Sequence, residues 1–185
     1  FVLVGILWGI PYLLMKVAVE DFPPAAVVAG RTLIGASILI PVAIYRKKFK
    51  GAVLGFKFVA FYALMEMIGP WILITTAEQK INSGLAGLLV STVPIFATII
   101  TSLRGDHSVW QFKRTVGIVV GFFGLILVVG IESLTGTSDP LSIGMVILAS
   151  MGYAYAVIMV TSNLPLVDGI AINGLAMALT TIFWA

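Results

Sequence analysis

The chain has 185 residues, of which 60% are hydrophobic and only 10% carry a charged side chain. A soluble domain carries about 25% charged residues, so too little polar surface is available here to coat a globule in water. This composition excludes a soluble enzyme, a nucleic-acid-binding domain and a disordered protein. The net charge of +3 is spread along an apolar chain and forms no basic patch. With no cysteine in the chain, disulfides and thiol chemistry are excluded as well.

Long apolar stretches alternate with short polar connections along the whole chain. A membrane-spanning helix needs about 20 mostly apolar residues, and the sequence offers six such stretches and the start of a seventh. We therefore predict an all-α integral membrane protein, a multi-span helical bundle. The predicted spans are residues 1–19, 24–45, 54–77, 83–103, 115–131, 141–161 and 169–185.

Charge in the connections predicts an orientation. Positive residues mark the cytoplasmic side of a membrane protein, and here they cluster after the second and fourth spans. We therefore expect a multi-pass protein of the cell (inner or plasma) membrane with a cytoplasmic amino terminus. The basic residues of these two connections are Arg46, Lys47, Lys48, Lys50, Lys57, Arg104, Lys113 and Arg114. The alternate connections carry Glu20, Asp21, Glu78, Lys80, Glu132 and Asp139.

Apart from Lys57 at the start of the third span, three charged residues fall inside predicted spans, where a charge is costly and usually has a partner or a function. Glu66 lies about 15 Å from either end of its helix and Arg31 about 10 Å deep. They can form a structural pair, or Glu66 can stay protonated, or it can bind a proton or a substrate amine. Lys16 lies near the outer end of the first span and can extend to the interface.

Prolines interrupt several spans and predict breaks in the helices. A proline frees a backbone carbonyl, which the membrane tolerates only against protein or a wet cavity. The breaks are expected at Pro11, Pro70 and Pro94. Near them, a cavity suited to an organic solute with an apolar or aromatic part is expected to be lined by Trp8, Tyr12, Glu66, Arg31, Trp71 and Ser91.

Small residues recur at helical spacing in the fifth span, at Gly117, Gly121 and Gly124. Close packing of helices in lipid needs small residues at the contact. Packing inside one bundle is the preferred interpretation, with the face of a homodimer as the alternative.

Motifs of enzymes, phosphate loops and metal sites are absent from the sequence. The single histidine, His107, lies in a short connection. We therefore expect no enzyme, cofactor or metal, and no nucleic-acid partner. The expected partners are a small-molecule substrate and the lipid bilayer.

Several residues recur in a characteristic order and spacing along the first five spans. They are Trp8-Gly9, Lys16, Pro24, Arg31, residues 83–89, Pro94, Gly105-Asp106, Gln111, Gly117 and Gly124. This pattern resembles the EamA family of the drug/metabolite transporter superfamily, which usually has Glu where Asp106 stands. A weaker second copy begins with Met151-Gly152-Tyr153, without counterparts of Lys16 and Arg31.

The resemblance implies ten spans in two five-helix repeats of inverted topology. Residues 1–131 would form the first repeat and residues 141–185 the start of a truncated second one. Since the chain begins without methionine and ends in an apolar run, we expect a fragment of a longer protein. The implied function is secondary transport, with export of small metabolites, amino acids or drug-like compounds by alternating access. The alternatives are a membrane-embedded lipid-modifying enzyme and a non-transporting scaffold subunit.

Overall fold

The computed structural model describes residues 2–129 and 139–185, and within these ranges all regular structure is helical, with no strand. The elements are α1 (Val2–Asp21), α2 (Pro24–Tyr45), α3 (Phe49–Leu54), α4 (Phe56–Ala63), a π-helical turn (Leu64–Ile68), α5 (Gly69–Ala77), α6 (Ser83–Val90), α7 (Val93–Leu103), a 3₁₀ turn (His107–Val109), α8 (Phe112–Val129), α9 (Pro140–Asn163) and α10 (Gly169–Trp184).

Four segments of the described chain are long and apolar enough to cross a membrane. They are Pro24–Tyr45, Phe56–Ala77, Ser83–Leu103 and Pro140–Asn163. Each has at least 21 residues, which is about 31 Å of helix and matches the hydrocarbon core of a bilayer. The all-helical, multi-pass membrane architecture is therefore confirmed, while the number of seven spans stays a prediction.

The helices begin where the sequence supplies a cap or a proline. Pro24 occupies the first position of α2, where its missing N–H costs nothing. Asn82 and Asp139 accept hydrogen bonds from the backbone N–H of Leu85 and Ser142, so α6 and α9 start at side-chain caps. These caps fix the ends of the connections that separate the spans.

The bundle is held by two sets of helix contacts. Helix α2 packs along α10, and α9 packs against α5, α6 and α7. The buried side chains form two clusters. One contains Ala43, Ala52, Val59, Tyr62, Ala63, Met67, Ala156, Met159, Leu164, Ala171, Ile172 and Ala176. The other contains Met15, Ile74, Ala77, Ile81, Leu85, Ala86, Leu88, Val146 and Ala149.

The connections gather at two ends of the bundle. At one end Lys80 and Asp139, from two different connections, form an ion pair with Nζ and Oδ2 3.6 Å apart. At the other end, a Cβ on Gly55 would lie 2.7 Å from Cδ2 of Leu164, so the segment before α4 packs against the segment after α9. The charges predicted that successive connections lie at alternate ends of the bundle, and these two contacts agree with that prediction. Which end faces the cytoplasm stays a prediction.

Candidate functional site

The third span is interrupted at its centre by a π-helical turn, Leu64–Ile68, which contains Glu66. The N–H of Gly69 donates to the carbonyl of Leu64, five residues earlier. Pro70 follows, and because it has no N–H it cannot donate to the carbonyl of Glu66. Single π-helical turns inside α-helices occur frequently at functional sites. The break predicted at Pro70 therefore lies directly beside Glu66.

Helices α9 and α10 cover this interruption. A Cβ on Gly152 would lie 2.8 Å from the carbonyl oxygen of Met65 and 3.2 Å from Cγ of Pro70, so α9 approaches at a distance that only glycine permits. The indole N–H of Trp184 in α10 donates to the carbonyl of Ile68 over 3.2 Å. Backbone groups of the irregular turn are thus packed against protein, as the apolar surroundings require.

The fourth span is also broken, between α6 and α7. The hydroxyls of Ser91 and Thr92 donate to the carbonyls of Leu88 and Leu89, each over 2.6 Å. Pro94 then occupies the first turn of α7. Side-chain hydroxyls thereby satisfy carbonyls at the end of α6. The break predicted at Pro94 is present in the structure.

A cavity of about 750 Å³ lies beside the two interrupted spans. This volume falls in the range of small-molecule sites, and its wall is largely apolar with a few polar groups, as such sites usually are. The lining residues are Met15, Arg31, Glu66, Trp71, Ile74, Gly87, Val90, Ser91, Val93, Pro94, Tyr153 and Val157. Five residues expected from the sequence are therefore brought together: Arg31, Glu66, Trp71, Ser91 and Pro94.

Glu66 provides an acidic group to the cavity. Its Oε2 is buried and has no hydrogen-bond partner among the described residues. Tyr62, one turn earlier, donates its hydroxyl to Oδ1 of Asn173 in α10 over 3.1 Å, so that hydroxyl is already engaged. Because buried polar atoms are nearly always hydrogen-bonded, Oε2 is suited to receive a proton or a donor group of a solute.

Arg31 is held against the wall of the same cavity. Its guanidinium carbon lies 4.3 Å from the ring centroid of Trp71, a cation–π contact, and Nη1 donates to Sδ of Met15 over 2.6 Å. A cation–π contact away from water is worth about 2 kcal/mol. The cavity therefore combines a cation, a carboxyl group and an aromatic ring, and Met15 is a lining residue that the sequence reasoning missed.

Lys16 connects α1 to the end of α5. Its ammonium group donates to the backbone carbonyls of Glu78 and Ile81, over 2.5 and 3.3 Å. The last carbonyls of a helix lack intrahelical donors and carry partial negative charge, so a cation there is stabilising. Lys16 thus caps the end of the third span and links α1 to it.

Replacing Lys16 by methionine is expected to lower the free energy of unfolding by about 1–2 kcal/mol, because the carbonyls of Glu78 and Ile81 lose their cationic donor. Thermal melting of the full protein measures this change. The control is Lys57→Met, which removes an exposed lysine of α4 and should have little effect. Equal stability of the two variants would contradict the capping role.

Glu78 lies in the connection after α5, where the sequence reasoning placed it, but its burial was not foreseen. Lys80 is exposed, whereas the side chain of Glu78 is completely buried. Ile74, Ala77 and Ile81, at helical spacing around it, are buried too. Sequence reasoning missed this because one acidic residue beside a span usually marks its solvated end.

Several residues that the sequence predicted to have a functional or packing role do not line the cavity, or have side chains that the structure does not describe. The side chains of Trp8, Pro11 and Tyr12 lie outside the described residues. A Cβ on Gly117, Gly121 or Gly124 would meet no atom within 4 Å, so their role in helix packing stays a prediction. A smaller cavity of about 440 Å³ is lined by Ser91, Pro94, Ile95, Gly117, Ile118, Gly121 and Phe122.

A bundle of apolar helices, with two broken spans beside a cavity, defines the class of multi-pass helical membrane proteins. Comparison with known proteins gives the family. Residues 1–130 match the EamA-like transporter family, and the chain belongs to it. The resemblance seen in the motifs is thereby confirmed.

Three curated bacterial proteins show the range of similarity. The chain is 33% identical over 132 residues to "Uncharacterized transporter YoaV" of Bacillus subtilis, which covers 71% of the chain and 45% of that protein. It is 30% identical over 144 residues to "Protein PagO" of Salmonella typhimurium, and this match covers 75% of the chain and 46% of that protein. It is 27% identical over 159 residues to "Uncharacterized inner membrane transporter YedA" of Escherichia coli K12, and this match covers 81% of the chain and 48% of that protein.

The chain thus spans about half the length of the curated relatives it matches. No solved structure matches it.

Proposed function

We propose that the protein is a secondary transporter of the cell (inner or plasma) membrane that exports small organic solutes by alternating access. Membership of the EamA-like transporter family supports a role in transport. The name of the E. coli relative places that protein in an inner membrane. The observation that carries the proposal is the cavity of about 750 Å³ between two broken spans. Discontinuous helices near the membrane midplane form the substrate sites of many secondary transporters.

The polar groups of the cavity favour an organic solute with a donor group and an apolar or aromatic part. Glu66 offers an unsatisfied buried oxygen to an amine or a proton, and the stacked pair of Arg31 and Trp71 offers a cation and a ring face. Metabolites, amino acids and drug-like compounds of this kind fit the volume. A purely inorganic ion would leave the apolar wall without a function.

Helix contacts support the inverted-repeat architecture. In the proposed scheme, α2 and α10 are the second helices of the two repeats, and they pack along each other. Met177 lies against Gly35 at this contact, and Gly174 lies against Ile40. The reciprocal packing of equivalent helices is what a pseudo-two-fold axis between repeats 1–131 and 141–185 would produce.

Transport by the purified full-length protein in proteoliposomes tests the proposal. Panels of labelled amines, amino acids and aromatic metabolites are assayed with and without a pH gradient. Saturable, protein-dependent flux of at least one organic solute is the expected result. Release of product from labelled lipid would indicate the membrane-embedded enzyme instead, and binding partners without flux or product would indicate the scaffold.

Trp71→Ala is expected to weaken solute binding about 5- to 30-fold, because the cavity loses a ring face and Arg31 loses its stacking partner, together worth about 1–2 kcal/mol. The concentration of solute at half-maximal flux measures the effect. The control is Trp110→Ala, which removes an exposed tryptophan outside the cavity. Equal affinity in Trp71→Ala and the unmodified protein would exclude this wall from binding.

A further inference from the structure

Glu78 is a buried acidic residue that the proposed solute site does not use. Its side chain has 0% exposure, although it follows the last residue of α5. Neither carboxylate oxygen has a hydrogen-bond partner of good geometry among the described residues. An unsatisfied buried carboxylate is unfavourable unless it binds a proton or approaches a cation.

The groups that act on Glu78 come from three helices. Lys16 of α1 donates to the carbonyl of Glu78 itself, over 2.5 Å. Arg31 of α2 and Ser83 of α6 lie close enough to act on its carboxyl group. Helix α9, which also packs against α5, carries no charged residue, and Asp139 before it is paired with Lys80. Among the residues that the structure describes, the carboxyl group therefore has two cations within reach and no competing acid.

Opposing influences act on the ionisation of Glu78. Burial raises the pKa of its carboxyl group to about 7, while Ser83, Lys16 and Arg31 act to lower that pKa. The carboxyl end of α5 also carries partial negative charge, which disfavours the ionised form. The geometry and these charges together allow both protonation states near neutral pH.

Arg31 links this carboxyl group to the cavity, because it lines the cavity and also acts on Glu78. Ionised Glu78 attracts Arg31 and Lys16 more strongly than the protonated form does. Stronger attraction would draw the adjacent ends of α1, α2 and α5 together. The charge on this one buried residue would then set the spacing of the helices at one end of the cavity.

We propose that Glu78 is a second proton-binding site, which closes the Lys16 end of the cavity when it is ionised and releases that end when it is protonated. On ionisation the O–H bond of the carboxyl group breaks, the proton passes to water and the electron pair stays on the carboxylate. This inference does not depend on solute binding by Glu66, so it stands whether or not Glu66 takes part in transport.

Cysteine labelling of the detergent-solubilised full protein, with any other cysteine removed, tests the closure. Gly87 lines the cavity, and a Cβ there meets no atom within 4 Å, so Gly87→Cys places a thiol in the cavity without strain. Ala26→Cys, on an exposed position of α2, corrects for the reactivity of the thiol itself. The ratio of the two rates with a water-soluble maleimide is followed from about pH 5.5 to about pH 8.5.

The ratio is expected to fall several-fold as the pH rises through about 7, and in the Glu78→Gln background it should stay high at every pH. A ratio that does not change with pH, or a Glu78→Gln variant with the original profile, would overturn the proposal. Glu20→Gln, which changes an exposed acid of α1, should leave the profile unchanged. Labelling needs no solute flux, so this outcome is separate from failure of the proposed transport function.

A second variant keeps the test decisive if Glu78→Gln does not fold. Lys16→Met removes a cation that lowers the pKa of Glu78, so the midpoint of the labelling profile should move to higher pH. An unmoved midpoint would contradict the proposal.

Thermal stability gives an independent readout. The pKa of Glu78 is raised in the folded state from 4.5 to about 7. Its contribution to stability is therefore fully present below pH about 4.5 and is lost as the pH rises through about 7. Glu78→Gln should show a smaller loss than the unmodified protein, whereas Glu20→Gln, an exposed acid of α1, should retain the full loss. A matching loss in Glu78→Gln would assign the pH dependence to another group.

Discussion

Glu66→Gln is expected to abolish proton-driven solute flux in the full protein. Glutamine has nearly the same shape as glutamate but cannot release a proton or carry a negative charge. A hydrogen bond to a charged group is worth about 1.5–3 kcal/mol, so loss of an amine contact would weaken binding about 10- to 100-fold. Initial rates of flux into proteoliposomes, with and without a pH gradient, measure both effects.

Glu20→Gln is the matched control for this experiment. It makes the same chemical change at an exposed position near the end of α1, and transport should be unaffected. Thermal melting of both variants shows that they are folded. Undiminished pH-driven flux in Glu66→Gln would remove this residue from the mechanism.

Gly152→Ala is expected to lower the free energy of unfolding by about 1–3 kcal/mol, the usual cost of overpacking. The added Cβ would lie 2.8 Å from the carbonyl oxygen of Met65, a backbone atom that cannot turn away. Helix α9 must then move off the π-helical turn that contains Glu66, so solute flux should fall together with stability. Thermal melting and flux in the same preparation measure the two changes.

Gly144→Ala on the same helix provides the opposite expectation. Gly144 is exposed, and a Cβ there meets no atom within 4 Å. Alanine inside a helix is more stable than glycine by about 0.5–1 kcal/mol, so this variant should melt at the same or a higher temperature. If the two variants melt alike, the close approach at Gly152 does not stabilise the bundle.

The central cavity shows how far the sequence reasoning reached. Arg31 and Glu66 were singled out because a charge within an apolar span is rare and costly, and both line the cavity. Pro70 and Pro94 were singled out because the loss of an N–H depends only on the residue type. The same reasoning was wrong at Pro11, since α1 continues without interruption from Val2 to Asp21. These inferences needed no knowledge of neighbours, and for that reason a sequence can supply them.

The partners of these residues were beyond the sequence. The cation–π contact of Arg31 with Trp71 joins α2 to α5, and the hydrogen bond of Lys16 joins α1 to the end of the same helix. Such contacts depend on how the helices are rotated and spaced. Similarly, Tyr153 of α9 lines the cavity, whereas the sequence reasoning singled it out only as part of a second repeat.

The sequence by itself determined the class of protein, the multi-pass helical architecture, the family and the positions of two helix breaks. Each depends on composition, on length or on a local property of one residue type. Only the tertiary structure decided that Glu78 is buried and that Gly152 must be glycine. Burial of a side chain and the room for a Cβ depend on what the neighbouring helices place there, and those helices are remote in the chain.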